Sequence, residues 1–253
     1  MSSDAIGMVT LGSCGLEVCR VSCGTGTIAG GGQSNQTRLG EDPFNDILRY
    51  AYDRGIRFFD TADAYGTHVH VNRALHDRMR EDYQIVTKCH AREHVPDAAP
   101  PIERFVEELG TNRLDVLQIH CVTTPSWVEQ NREQMDTLAE LKSRGVIGAH
   151  GVSCHSLVAL EVAAEEPWVD VIHARINPFG MEMDAEPERV VPVLERAKAN
   201  GKGIIGMKLF GQGKMNAAQR AESIAWTSAL GCVDVLLVAF ESCAEVDEFL
   251  TLI

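Results

Sequence analysis

The chain comprises 253 residues, 45% of them hydrophobic, and carries a formal net charge of −13 at pH 7. A chain of that length buries a large core, and α/β barrels of this size commonly form one domain, expected here over 1–253. The acidity argues against nucleic acid and acidic membrane as partners, since clustered Lys and Arg grip both. Met1 to Gly7 hold no basic segment followed by an apolar core, and no later apolar run nears membrane-spanning length, so the cytoplasm is the expected location.

In chain order, apolar runs usable as strands fall at 20–24, 56–59, 84–87, 114–119, 147–152, 169–174, 203–207 and 233–239. Eight is the number a closed parallel barrel needs. Amphipathic stretches accompany them at 44–54, 69–80, 101–109, 128–144, 155–165, 187–199, 217–229 and 243–252. Within 128–144, Val128, Met135, Leu138 and Leu141 recur at helical spacing, and Gly145 stands where a helix C-cap is expected. Pro187 opens the sixth of these helices and Gly201 follows its end. The longest irregular segment, Ala29 to Pro43, includes Gly30-Gly31-Gly32 and suits an active-site loop and a solvated surface loop equally.

Eight cysteines stand at 14, 19, 23, 89, 121, 154, 232 and 243, with no Cys-x-x-Cys pair among them. In a cytoplasmic chain these are expected as reduced, small apolar residues, and no metal site is expected from them.

Three of the strand runs end in chemistry. The second ends at Asp60 and is followed five residues on by Tyr65, in Phe59-Asp60-Thr61-Ala62-Asp63-Ala64-Tyr65-Gly66. The third, Gln84 to Thr87, ends at Lys88, and the fourth, Leu114 to Ile119, ends at His120. In a parallel barrel catalytic groups gather at the carboxyl ends of the strands, so these four would converge on one face. Each alone has a plainer explanation: a turn-capping aspartate, a packing tyrosine, a rim lysine or a core histidine. Their joint placement makes a common site the expectation.

Asp60, Tyr65, Lys88 and His120, in this order and in these contexts, resemble the catalytic tetrad of the aldo-keto reductase superfamily. The likeness continues at Leu11-Gly12-Ser13-Cys14-Gly15-Leu16-Glu17-Val18, similar to the family's opening hairpin, and at Gly145-Val146-Ile147 to Gly151-Val152-Ser153. It implies a TIM-type (β/α)8 barrel with an N-terminal β-hairpin, and an NAD(P)-dependent oxidoreductase acting on a small aldehyde, ketone or alcohol. A homo-oligomer is compatible with that.

Such a reduction delivers hydride to carbon while a proton must reach the oxygen. Tyr65 is the candidate acid, Lys88 the cation that would strengthen it, Asp60 the partner holding Lys88 charged, and His120 the group orienting the substrate oxygen. The resemblance places the cofactor against Gly26, Thr27, Asp60, Ser153, Cys154, His173, Met207, Lys208, Leu209, Gly211, Glu241 and Ser242. Here the chain departs from the family. Cys154 stands for the usual asparagine, His173 for a glutamine that bonds the nicotinamide amide, and Met207 for a stacking tyrosine. Lys208 could meet the pyrophosphate as a point charge. Glu241 and Asp247 occupy places that carry basic residues in phosphate-preferring members, so NAD(H) is expected ahead of NADP(H).

The family's long C-terminal segment is not matched, since Ile253 falls inside the eighth helix. The pocket would then be open, or covered by the long first loop or another subunit. Two rivals remain: a metal-dependent barrel enzyme using His68, His70, His90, His120 and His173, and a lyase, isomerase or non-catalytic cofactor binder on the same scaffold.

Overall fold

The computed structural model describes residues 6–253; residues 1–5, most of the opening stretch considered above for a leader, lie outside the described residues. Strands β1 (Met8–Thr10) and β2 (Glu17–Cys19) form an antiparallel hairpin. It packs against the start of a later strand: Ser13 N–H donates to the Gly201 carbonyl at 2.8 Å, and a Cβ on Gly12 would fall 2.3 Å from the Gly203 nitrogen. Gly12 sits at φ +60°, so both conformation and space there suit glycine alone.

Eight parallel strands follow: β3 (Val21–Gly24), β4 (Phe58–Asp60), β5 (Gln84–His90), β6 (Leu114–Val122), β7 (Ile147–Cys154), β8 (Val171–Arg175), β9 (Gly203–Met207) and β10 (Val235–Ala239). Each pairs with the next, and β10 returns to pair with β3 from Leu236↔Val21 to Ala239↔Gly24, closing the barrel. With the hairpin, this is the expected fold class. All eight strands lie where the apolar runs put them. Parallel barrel strands are buried on both faces, as Ile85, Val86, Leu117 and Ile119 show, and so read as continuous apolar runs.

The helices are α1 (Asn35–Arg38), α2 (Glu41–Asp53), α3 (His68–Leu75), α4 (Ile102–Leu109), α5 (Trp127–Gln130), α6 (Arg132–Ser143), α7 (Leu157–Glu165), α8 (Pro187–Ala199), α9 (Ala217–Ala229) and α10 (Cys243–Leu250). Local signals bound them. Ser156 caps α7 by accepting from Ala159 N–H, Asn216 and Gln219 form a capping box on α9, and Gly110 closes α4 in the left-handed region. Their apolar faces bury Phe44, Phe105 and Leu194 against the barrel, each such side chain contributing about 2 to 3 kcal/mol.

Two expectations need correction. The stretch 128–144 is two helices, α5 and α6, broken at Asn131, whose side chain donates to the Trp127 carbonyl at 2.6 Å and accepts from Arg92 N–H at 2.8 Å. Strands β5 and β6 do not stop at Lys88 and His120 but run on to His90 and Val122. The long first loop is also partly ordered, with α1 and a bridge between Gly30 and Gln33. No described helix is long and apolar enough to cross a membrane.

Candidate active site

The carboxyl end of the barrel gathers the four groups. Asp60 is the last residue of β4, and Tyr65 ends a short turn of 3₁₀ helix just beyond it. Lys88 lies inside β5, where its Nζ donates to Asp60 Oδ2 at 2.6 Å and to the Thr61 carbonyl at 2.9 Å. Tyr65 Oη is 3.3 Å from His120 Nε2, and Lys88 Nζ lies 5.4 Å from the centre of the Tyr65 ring. His120 owes its position to an irregularity in β6: the register shifts between Ile119 and Val122, Cys121 takes φ +67°, and its N–H donates to Ser153 Oγ at 2.8 Å.

A fifth group joins them. His173, fully buried on β8, places Nε2 at 2.9 Å from the same Asp60 oxygen that Lys88 bonds. Burial alone would raise the Asp60 pKa, but the charge of Lys88 and the hydrogen bond from His173 prevail and hold it down to about 2. Burial and Lys88 depress His173, so its ring is neutral. An ionised Asp60 can only accept, which assigns the His173 proton to Nε2 and leaves Nδ1 a bare acceptor, buried and without a partner. Burial likewise lowers Lys88 against the pull of Asp60, and burial with the charge of Lys88 keeps His120 neutral.

Tyr65 requires a further correction. The expected acid-strengthening by Lys88 is not what this geometry produces: burial, then Asp60 and Cys121, push the phenol well above its ordinary range. Lys88 is already neutralised by the carboxylate it bonds, so its charge is spent on Asp60. Beneath the ring, Gly26 leaves space for it; a Cβ there would lie 2.3 Å from Tyr65 Cε2.

Around this cluster opens a cavity of about 220 Å³. Of the residues assigned from the resemblance, Gly26, Thr27, Asp60, Ser153, His173, Met207, Lys208, Leu209 and Glu241 line it with Tyr65, Lys88 and His120. Three others lie outside the lining. Cys154 is fully buried, Gly211 packs on Met181 and Met215, and Ser242 caps α10 by accepting from Glu245 N–H. Asp247 also faces elsewhere, accepting from Tyr50 Oη at 2.9 Å and pairing with Arg54. Sequence reasoning missed His155, Arg220, Glu245 and Glu248, which line the cavity from helix starts and interiors. Only the position of His155, two residues beyond Ser153, could have flagged one of them.

Of the histidines considered for a metal, His68, His70, His120 and His173 are otherwise engaged. His68 bonds Glu108 and Thr87, both at 2.7 Å, and His70 bonds Asn45 at 3.2 Å. Among the described residues no three His, Cys, Asp or Glu side chains form a group suited to a metal ion.

The fold and this cluster define a (β/α)8 barrel with a polar site at the carboxyl ends of its strands. A family model described as "Aldo/keto reductase family" matches residues 20–228, and the chain belongs to that family. It is 30% identical to Probable aldo-keto reductase 1 of Glycine max, across 81% of this chain and 64% of that protein. It is 24% identical to the NADH-specific methylglyoxal reductase of Escherichia coli, across 70% of this chain and 61% of that protein. It thus spans less than two thirds of the length of these relatives. A crystal structure described as an aldo-keto reductase of Pseudomonas aeruginosa superposes with a TM-score of 0.76 at 25% identity, covering 97% of this chain and 93% of that one. An aldo-keto reductase of Bombyx mori in complex with NADP shares the fold, with a TM-score of 0.72 at 16% identity over 97% and 87%.

Proposed function

We propose that the chain is an NAD(P)H-dependent oxidoreductase that reduces an aldehyde or ketone to an alcohol, or runs the reverse. The observation that carries this is Tyr65 Oη beside a neutral His120 and over the buried Lys88–Asp60 pair, at the wall of a cavity. The residues fit a nicotinamide cofactor. His173 Nδ1 is a buried acceptor awaiting a donor such as the carboxamide N–H, and Ser153, whose oxygen already accepts from Cys121, has its hydroxyl hydrogen free to donate. Leu209 would border the pyrophosphate and Glu241 the adenosine ribose. When bound, the reduced cofactor supplies the hydride.

The protein's part is the proton. Tyr65 gives its hydroxyl proton to the carbonyl oxygen as negative charge develops there, and His120, with no charge of its own, orients that oxygen and relays a proton back to the phenolate. The high pKa of Tyr65 keeps it protonated and loaded in the resting site. Mixing the protein with NADH or NADPH and a small aldehyde and following loss of the reduced cofactor tests the proposal. Cofactor binding without any oxidation by a panel of aldehydes and ketones would sink it in favour of a non-redox role.

Gly26→Ala is expected to lower turnover about 100-fold without unfolding the protein, because its new methyl group must push the Tyr65 ring aside and a misplacement of ~1 Å costs that much. Steady-state kinetics with a melting curve checks it. A variant of normal turnover would show that the ring need not stay where it lies.

NAD(H) is proposed ahead of NADP(H), on Glu241 alone, since Asp247 is held by Tyr50 and Arg54. Glu241 accepts from Asn35 Nδ2 at 2.8 Å and would accept from a ribose hydroxyl but repel a phosphate. Glu241→Arg should move the ratio of the two dissociation constants roughly tenfold or more toward NADPH, the worth of a charge-assisted hydrogen bond of ~1.5 to 3 kcal/mol. Tighter NADPH binding by the native protein would refute the assignment.

A further inference from the structure

One corner of the cavity, between the ends of β7, β8 and β9, holds more positive charge than its neighbours neutralise. Lys208 lines the cavity directly after β9. Among the described residues no carboxylate ion-pairs with its ammonium; Nζ donates to the Gln212 side-chain oxygen at 2.9 Å once that amide faces it with its oxygen. The acids nearby are committed, Glu182 to Lys214 and Asp184 to Arg175 at 3.0 Å. Burial and then the charge of Arg175 lower the Lys208 pKa, as a half-buried cation without a counter-charge requires.

His155 adds a directed donor. Arg175 Nη2 lies 2.6 Å from its Nδ1, and a guanidinium can only donate, so Nδ1 accepts and the neutral ring carries its proton on Nε2. Burial, Arg175 and Lys208 hold this histidine down to about 3, which keeps it neutral in working conditions. Its ring stands 6.1 Å from that of His120, and Nε2 has no protein acceptor among the described residues. The backbone here is also unusual. Of the five non-glycine residues with left-handed φ among the described residues, two, Lys208 and Gln212, line the cavity here. Strain concentrated beside a cavity points to a binding role.

We infer that Lys208 and His155, whose ring Arg175 holds in place, form a subsite for an anionic group, a carboxylate or phosphate, carried by the substrate beside its carbonyl. The inference rests on the carbonyl reduction proposed above and names its substrate class: short aldehydes or ketones that are also acids. The cofactor pyrophosphate is the other source of the same negative charge.

The test compares succinic semialdehyde with butanal, of the same carbon count, in the presence of NADH. The native protein should show a kcat/KM at least tenfold higher for the acid. Lys208→Met should cut that ratio about tenfold, and Lys208→Arg should keep most of it. A lost pyrophosphate contact weakens both substrates alike and cancels in the ratio, so an unchanged ratio with weaker NADH binding would assign Lys208 to the cofactor and overturn the inference. So would equal use of the two aldehydes by the native protein. If neither aldehyde is reduced, the reduction itself is at fault, and calorimetry on the NADH-loaded protein decides the subsite separately. Succinate should then bind, succinamide should not, and Lys208→Met should abolish succinate binding; absent succinate binding would overturn it.

Discussion

Tyr65→Phe is expected to lower carbonyl reduction by about 100- to 10,000-fold, the usual loss on removing a positioned general acid. The substitution deletes one oxygen whose protein contact is His120 Nε2 at 3.3 Å, and the ring keeps its place over Gly26 and beside Lys88. Folding stability should therefore change by no more than about 1 kcal/mol, the worth of one hydrogen bond. Affinity for the reduced cofactor should also persist, because the atoms proposed to hold the nicotinamide belong to Ser153 and His173. Burial, Asp60 and Cys121 keep the phenol protonated far into the alkaline range, so native reduction should show no loss from Tyr65 ionisation between neutral and mildly alkaline pH. Kinetics with a good aldehyde substrate and a cofactor titration measure both halves. Near-normal turnover would remove Tyr65 from the chemistry.

Lys88→Met should inactivate the protein and destabilise it by about 3 to 5 kcal/mol, since it strips a buried carboxylate of its principal partner. Asp60→Asn combined with Lys88→Met should recover part of that stability and none of the activity. Strictly additive losses in the cycle would dissolve the pairing. His173 shapes how the loss depends on pH. In the native protein the Asp60 pKa is depressed to about 2 from an ordinary 3.8, so its contribution is present above about pH 4 and fades as pH falls toward 2. In the variant, Lys88 no longer opposes protonation of His173, and Asp60 draws its pKa upward. A histidine that binds its proton more readily in the variant than in the native protein favours the variant, relative to the native, as pH falls. The variant's deficit should thus be smaller near pH 5.5 than near pH 8, as read by chemical denaturation at the two values. A deficit independent of pH would show that His173 does not take up the charge.

The barrel is legible because burial on both faces of a parallel strand leaves an uninterrupted apolar run, and helix ends carry signals at Gly145, Pro187 and Gly201. The errors have physical causes. Asn131 breaks a helix through its side-chain bonds to Trp127 and Arg92, and hydrophobic periodicity cannot register a polar residue that turns inward. Lys88 and His120 interrupt apolar runs and so read as strand ends, yet inward positions of a barrel lumen admit polar side chains and the strands continue past them. The tetrad residues could be named from order along successive strands, since a barrel converts that order into proximity. His155, Arg220 and the acids of α10 have no such rule, because their place in the cavity depends on how loops and helix starts fold back. His173 was named, but for an outward task; its bond to Asp60 joins residues 113 positions apart and leaves no local pattern.

The barrel closes where β10 meets β3, joining Leu236 to Val21 and Ala239 to Gly24 across nearly the whole chain. Contacts so distant in sequence are entropically the hardest to form, and this seam is expected among the last parts of the molecule to assemble and the first to open. The cavity straddles it, lined by Gly24, Gly26 and Thr27 on one side and Leu237 to Glu241 on the other. A molecule filling that cavity binds only the closed form, and so acts as a clasp on the fold itself. Amide exchange at Val21–Gly24 should slow by the factor that ligand affinity and concentration dictate, while strands on the far side of the barrel respond only through global unfolding.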